Sequence, residues 1–124
     1  MSEKKIDEYT LTISNGTTVT GCNVHAYGSN VIIRLSEEIT KIAPYAFENC
    51  SGIRKIILPK SVERVGMCAF KDCSDLEEVF IPDTVKTLEV GIFRNCKKLR
   101  RTHIPAHIKE TTTKFDKGIP SFLW

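Results

Sequence analysis

Apolar positions along this chain follow two rhythms that alternate. From Ile39 they fall at Ile42, Ala46, Phe47 and Cys50, at intervals of three and four, as one face of a short helix would place them. From Ile53 the rhythm tightens until Leu58 follows Ile56 by the two-residue step of a strand. Pro59 closes that segment, because proline lacks the amide hydrogen that a strand ladder needs.

The pair of rhythms recurs without slippage, at a 23-residue period. Phe47, Phe70 and Phe93 are spaced by that step, as are Cys50, Cys73 and Cys96, and Pro59, Pro82 and Pro105. The same step connects Ile39, Val62, Val85 and Ile108; Ile42, Val65 and Leu88; Ile53, Leu76 and Leu99; and Leu58, Ile81 and Ile104. A helical turn and a strand of this length do not bury their apolar faces alone, so the copies must stack. The pattern predicts an α/β repeat, a solenoid with a short-stranded parallel sheet on one side and helical turns on the other. Ladders of Phe, Cys, Leu and Ile fill its interior.

One domain accounts for residues 1–124. Within it, 1–38 read as an N-terminal hairpin cap and first strand, 39–61, 62–84 and 85–107 as full repeats, and 108–124 as a degenerate C-terminal cap. Ile33 and Leu35 keep the phase of the repeat strand, with Ser36 in place of the proline. Residues 9–20 alternate around Asn15-Gly16 as a β-hairpin does. A three-residue loop, Ser14-Asn15-Gly16, sets Leu11 across from Val19 and gives the hairpin an apolar side to lay over the first rung. At the other end Thr111 takes an apolar site and Phe115 arrives one residue early. The tail carrying Ile119, Phe122, Leu123 and Trp124 reads either as a cap over the last rung or as a docking peptide for a partner or a second copy.

The motif Ile-x-x-Ile-x-x-x-Ala-Phe-x-x-Cys-x-x-Leu-x-x-Ile-x-Leu-Pro, complete over residues 39–107 in three copies, closely resembles the BspA-like (Treponema pallidum type) leucine-rich repeat family. Ala46-Phe47 and Ala69-Phe70 match its core, and Ile92-Phe93 departs from it with a bulkier residue. The resemblance implies a right-handed leucine-rich-repeat solenoid that binds without catalysis. Relatives are commonly surface proteins of bacteria or parasitic protists.

With 27% charged and 41% hydrophobic residues, the composition is that of a folded chain, apart from a few residues at its start. A net charge of +3 is too small to call for a nucleic-acid partner. The first residues lack the apolar core of a secretion leader, and no run approaches the ~18 apolar residues of a membrane span. The expected location is the cytoplasm, or the cell surface and beyond if the chain is trimmed of a leader or excised from a longer protein. Five cysteines, three at one repeat position, suggest packing thiols in place of a disulfide framework. Cys22 and Cys68 fall outside that ladder and are the expected exposed thiols.

Phase marks two outward columns on the sheet face. One contains Ile32, Lys55, Glu78 and Arg101, and the other Arg34, Ile57, Phe80 and His103. An apolar pair flanked by Arg and His suits the centre of a protein interface, and it equally suits sheet propensity alone. Arg34, Lys55, Ile57, Glu78, Phe80, Arg101 and His103 are therefore the candidate binding residues. The basic cluster Arg94, Lys97, Lys98, Arg100, Arg101 and His103 wraps around the coil and lacks aromatic partners for bases, which disfavours nucleic acid. No phosphate loop, Cys-x-x-Cys pair or His-Glu-x-x-His helix occurs, and a zinc ion held by His103 and His107 would need two further ligands. Asn15-Gly-Thr17 and Asn49-Cys-Ser51 match glycosylation sequons. The expectation is a cofactor-free, non-enzymatic module that binds a protein partner through its sheet face, monomeric or weakly self-associating. The alternatives are a structural unit that assembles through its C-terminal end, or a polyanion binder.

Overall fold

The computed structural model describes residues 2–6, 8–25, 28 and 30–111. Its elements in chain order are β1 (Ser2–Ile6), β2 (Tyr9–Ser14), β3 (Thr18–Val24), β4 (Val31–Arg34), β5 (Lys41–Ile42), β6 (Ile53–Ile57), β7 (Arg64–Val65), β8 (Glu78–Phe80), β9 (Thr87–Leu88) and α1 (Ala106–Thr111). They form two sheets. One has the order β4-β6-β8 and is parallel throughout; the other runs β1-β2-β3-β5-β7-β9, antiparallel in its first three strands and parallel in the rest.

The pairing register carries the sequence period directly. Lys55 pairs with Glu78, Lys41 with Arg64 and Arg64 with Thr87, each one period apart. Between the sheets lies one continuous apolar core. Phe47, Phe70 and Phe93 are buried there with neighbouring ring centroids 5.5 and 5.7 Å apart and ring planes inclined by 30° and 15°. Aliphatic ladders flank them, among them Ile53, Leu76 and Leu99, and Leu58, Ile81 and Ile104.

The segments expected to be helical are built differently. After each two-residue strand the chain makes overlapping turns: Ala46 N–H bonds to Ala43 O at 3.2 Å, Glu48 to Tyr45 O at 3.1 Å and Cys50 to Phe47 O at 3.3 Å. Alternate amides leave the repeat altogether. Tyr45, Phe47 and Asn49 N–H donate to Met67, Ala69 and Lys71 carbonyls of the next rung, and Cys68, Phe70 and Asp72 repeat the arrangement toward Val90, Ile92 and Arg94. Tyr45, Cys68 and Gly91, and again Asn49, Asp72 and Asn95, have φ between 53° and 69°. A left-handed residue at every fourth position, at the third place of a type II turn, ends any helix before it starts. Successive turns and a helix place apolar residues at the same intervals of three and four, so the pattern was compatible with both. Among the described residues the one helix is α1, where the repeat phase decays.

The N-terminal hairpin is present and does more than cap. Its loop is Asn15, Gly16 and Thr17, one residue later than expected, with Ser14 facing Thr18 and Ile13 facing Val19. Leu11 faces Cys22, and Thr20 is the extra residue of a bulge between the pairs Thr12–Gly21 and Ile13–Val19. That bulge puts Leu11 and Val19 on the same buried face even though they are not direct partners. β3 then pairs in parallel with β5, Thr18 to Lys41 and Val19 to Ile42, again one period apart. The hairpin is thus the first rung of the second sheet. Residues at the start of the chain, expected to stay out of the fold, form β1 against β2. The C-terminal tail from Gly118 to Trp124, and Phe115 before it, lie outside the described residues.

Side-chain acceptors tie rungs together where strands give out. Asp75 accepts the Gly52 N–H at 2.8 Å and the Lys98 ammonium at 3.2 Å. The Gly52 amide and then Lys98 hold its carboxyl below the ordinary value. Stability from this carboxylate is present above the usual carboxylate range and is lost as pH falls through its lowered folded value. Asp75→Ala, which leaves the amide of buried Gly52 without its acceptor, is expected to cost about 1–2 kcal/mol. Thermal melts from pH 7 down to about pH 3 check both effects: the variant melts lower at neutral pH, and its deficit shrinks in acid.

Candidate interaction surface on the three-stranded sheet

Strands β4, β6 and β8 set the two outward columns in register. Ile32, Lys55 and Glu78 are successive partners in one, and Arg34, Ile57 and Phe80 in the other. The inward residues Ile33, Ile56 and Val79 are fully buried, so alternation forces their neighbours outward. Phe80 is 49% exposed, far above the other phenylalanines in the described chain, while Ile57 and Ile32 are half-buried. Lys55 and Glu78 form an ion pair at 3.4 Å, so one column is self-neutralised.

The fourth rung follows the register without forming a strand. Arg100 and Arg101 N–H both donate to Glu77 O, at 2.9 and 3.1 Å. Buried Thr102 accepts the Val79 N–H at 3.0 Å through its hydroxyl, taking the place of a strand carbonyl. Arg101 and His103 extend the columns as exposed residues. His103 is within 3.2 Å of Asp83, and His107 hydrogen-bonds Val85 O at 2.6 Å, so these two rings turn to separate partners. Among the described residues no group of three or more His, Cys, Asp or Glu is placed to hold a metal ion.

The basic cluster is largely committed to carboxylates one rung back. Lys98 pairs with Asp75 at 3.2 Å, Arg100 with Glu77 at 2.6 Å and Arg101 with Glu77 at 3.3 Å. Arg100 beside it holds the Glu77 carboxyl below its ordinary value. The pairs Glu48–Lys71 and Glu63–Lys86 repeat this arrangement at 3.6 Å each. Five such pairs, counting Lys55–Glu78, sit one period apart, a regularity visible in the sequence as opposite charges at the repeat step.

Sequence reasoning missed a second exposed apolar strip, along the turn edge. Met67 and Val90 are 39% and 42% exposed at equivalent positions, Pro44 is exposed at the same position one rung earlier, and Tyr45 beside it is 45% exposed. The Tyr45 hydroxyl reaches the Met67 sulfur at 3.7 Å. Its signal was the apolar series Pro44, Met67, Val90 at the repeat step.

Two of the three ladder cysteines take the expected form, whereas Cys50 is only half-buried, and Cys22, expected to be exposed, is half-buried as well. Cys73 and Cys96 are buried and donate their thiols to Phe47 O and Phe70 O at 3.0 and 2.9 Å. Burial pushes the Cys96 thiol up to about 12 and raises Cys73 as well. Cys68, expected to be exposed, is buried, because its place in the turn points it at Gly91 of the next rung.

A family model described as the BspA type leucine rich repeat region matches residues 4–116 in six copies. A leucine-rich repeat protein of T. pallidum has the same fold with a TM-score of 0.64 at 23% identity, over 82% of this chain and 48% of that one. A leucine-rich repeat protein from Bacteroides ovatus gives 0.68 at 24% identity, over 94% of this chain and 33% of that one. A leucine rich cell surface protein from Faecalibacterium prausnitzii gives 0.57 at 22%, over 80% and 29%. The chain thus spans about half or less of the length of these three relatives. No curated protein matches it. No helix among the described residues is long and apolar enough to cross a membrane. Repeats of this kind make interaction or structural modules, typically without catalysis. Two sheets that share one repeat register and six matched copies over residues 4–116 agree, and the chain belongs to the BspA type leucine-rich repeat family.

Proposed function

We propose that this chain is a non-enzymatic module that binds a protein partner through the face of the β4-β6-β8 sheet. The observation that carries the reading is Phe80, half exposed beside half-buried Ile57 and in line with Arg34 and His103. An aromatic side chain already held by a rigid strand loses little freedom on binding, and Arg beside it supplies directional hydrogen bonds at the rim. Ile57 and Phe80 are the anchors in this reading, Arg34, Arg101 and His103 the rim, and Lys55 and Glu78 a neutral flank. The pairing of Lys98, Arg100 and Arg101 with carboxylates favours it over polyanion binding. The cell-surface description of the Faecalibacterium relative supports an exported setting for such a partner.

The test compares three forms with matched melting temperatures: the native chain, Ile57→Glu with Phe80→Glu, and Met67→Glu with Val90→Glu. Each is immobilised and exposed to lysate and culture fluid of the source organism. A protein held by the native chain and the turn-edge variant, and lost by the sheet-face variant by tenfold or more in affinity, is the expected result, corresponding to about 1.4 kcal/mol or more. Loss only in the turn-edge variant moves the surface to Met67 and Val90. Concentration-dependent self-association of the native chain with no captured protein favours the structural-unit alternative.

A further inference from the structure

Cys22 and Cys50 lie 28 residues apart, off the repeat step, so their side chains are not stacked in parallel as the ladder thiols are. Cys22 lies in β3 opposite Leu11, and the bulge at Thr20 turns it to the core side, where it packs against the apolar cluster. Cys50 ends the turns of the first full repeat, and its thiol donates to Cys22 O at 3.5 Å. Cys73 and Cys96 donate instead to Phe47 and Phe70 backbone carbonyls. The two thiols also lie close enough to shift each other, Cys22 upward and Cys50 downward. Both are half-buried and line one surface groove with Asn23, Glu48, Asn49 and Ser51, whereas Cys68, Cys73 and Cys96 are buried.

We propose that Cys22 and Cys50 are a modification site for small-molecule disulfides, which convert them into an internal disulfide joining the N-terminal strands to the first full repeat. Cys22 beside it lowers the Cys50 thiol, so the thiolate forms on Cys50. Cys50, and then burial, raises Cys22. The Cys50 sulfur attacks one sulfur of the reagent, the reagent's S–S bond breaks, and its other half leaves as a thiol carrying the Cys50 proton. With Cys50 in the mixed disulfide, the neighbouring thiol that did most to raise Cys22 is gone. Cys22 then loses its proton, attacks the Cys50 sulfur and expels the second reagent half as a thiol. Two protein thiols have given up two electrons and two protons, and one reagent disulfide has become two thiols. The link closes a loop spanning residues 22–50 and so restricts the unfolded chain.

The experiment incubates the full chain with oxidised glutathione and is independent of the sheet-face reading. The expected product has lost about 2 Da. Its titratable thiols fall from five to three, and a proteolytic fragment joins Cys22 to Cys50. Its melting temperature rises by about 10 °C, and dithiothreitol reverses every change. Cys22→Ser is expected to stop at a glutathione adduct on Cys50. A native chain that keeps five thiols, links another pair or halts at a mixed disulfide overturns the proposal. Mass and fragment mapping of the native chain decide the matter even if a variant fails to fold.

Discussion

Phe70→Ala lowers the unfolding free energy by about 3–5 kcal/mol, a large share of the stability of a domain this size. Phe70 is fully buried in the middle of the aromatic stack, with Phe47 at 5.5 Å on one side and Phe93 at 5.7 Å on the other. Truncation opens a cavity that neither neighbour can fill. The turns beside both rings are tied to the rung of Phe70, through Phe47 N–H to Ala69 O at 2.8 Å and through Phe70 N–H to Ile92 O, next to Phe93, at 3.0 Å. The rungs therefore cannot slide together to close the gap. Phe70→Leu, which keeps most of the volume, is expected to cost less than half as much. Urea denaturation of the native chain and both variants checks the ordering, and equal costs for the two would show that loss of the ring itself, and not of buried volume, sets the penalty.

Gly66→Ala is expected to cost roughly 2–3 kcal/mol, an unusual penalty for one added methyl. A Cβ at Gly66 would stand 2.6 Å from Pro44 N and 2.9 Å from Ala43 C and Pro44 Cδ. These are backbone and ring atoms of the preceding rung, and proline's fixed φ denies them a rotation to escape. The clash must instead widen the spacing of two rungs, straining the Gly66 N–H bond to Ile42 O at 2.8 Å. Ala43 and Glu89 occupy the equivalent positions in the neighbouring copies, so the requirement for glycine comes from proline at Pro44 and not from the repeat itself. Gly21→Ala is the control: its Cβ meets nothing closer than 3.6 Å and should change stability by no more than about 0.5 kcal/mol. Thermal melts of the two variants side by side separate close approach from a general intolerance of alanine.

Legibility in the sequence followed the physics of each element. The repeat register, the Phe and Cys ladders and the outward columns through Lys55 and Glu78 and through Ile57 and Phe80 were readable because stacking copies all obey one period. The turns after β5, β7 and β9 were not, because left-handed φ at Tyr45 and Cys68 leaves no mark in an apolar pattern of threes and fours. Gly91, at the same place in the third copy, and the series Asn49, Asp72 and Asn95 were the hints, since these residue types accept the left-handed region. Val19 lies one period before Ile42, but the alternation around Asn15-Gly16 marks only a hairpin, and it is the pairing of β3 with β5 that makes it a rung. The bulge at Thr20 hid how much of the hairpin shares the buried face.

At the candidate surface the division is similar. Phase alone chose the residues that point away from the core, since Ile33, Ile56 and Val79 had to point inward. It did not distinguish Phe80, half exposed, from Ile57, which its neighbours partly cover. Nor did it pair Lys98 with Asp75 or Arg100 with Glu77, contacts that neutralise part of the basic cluster.

By itself, the sequence determined the repeat length, the ladder residues and the sides of the strands, because each copy must present the same apolar face to its neighbours to be stable at all. The tertiary structure decided what no copy can specify alone. It closed the coil with turns whose amides bond to the next rung, drew β3 into the repeat, and brought Cys22 against Cys50. Those outcomes depend on how successive rungs meet in space, and a one-dimensional period contains the distance between copies without the path the chain takes between them.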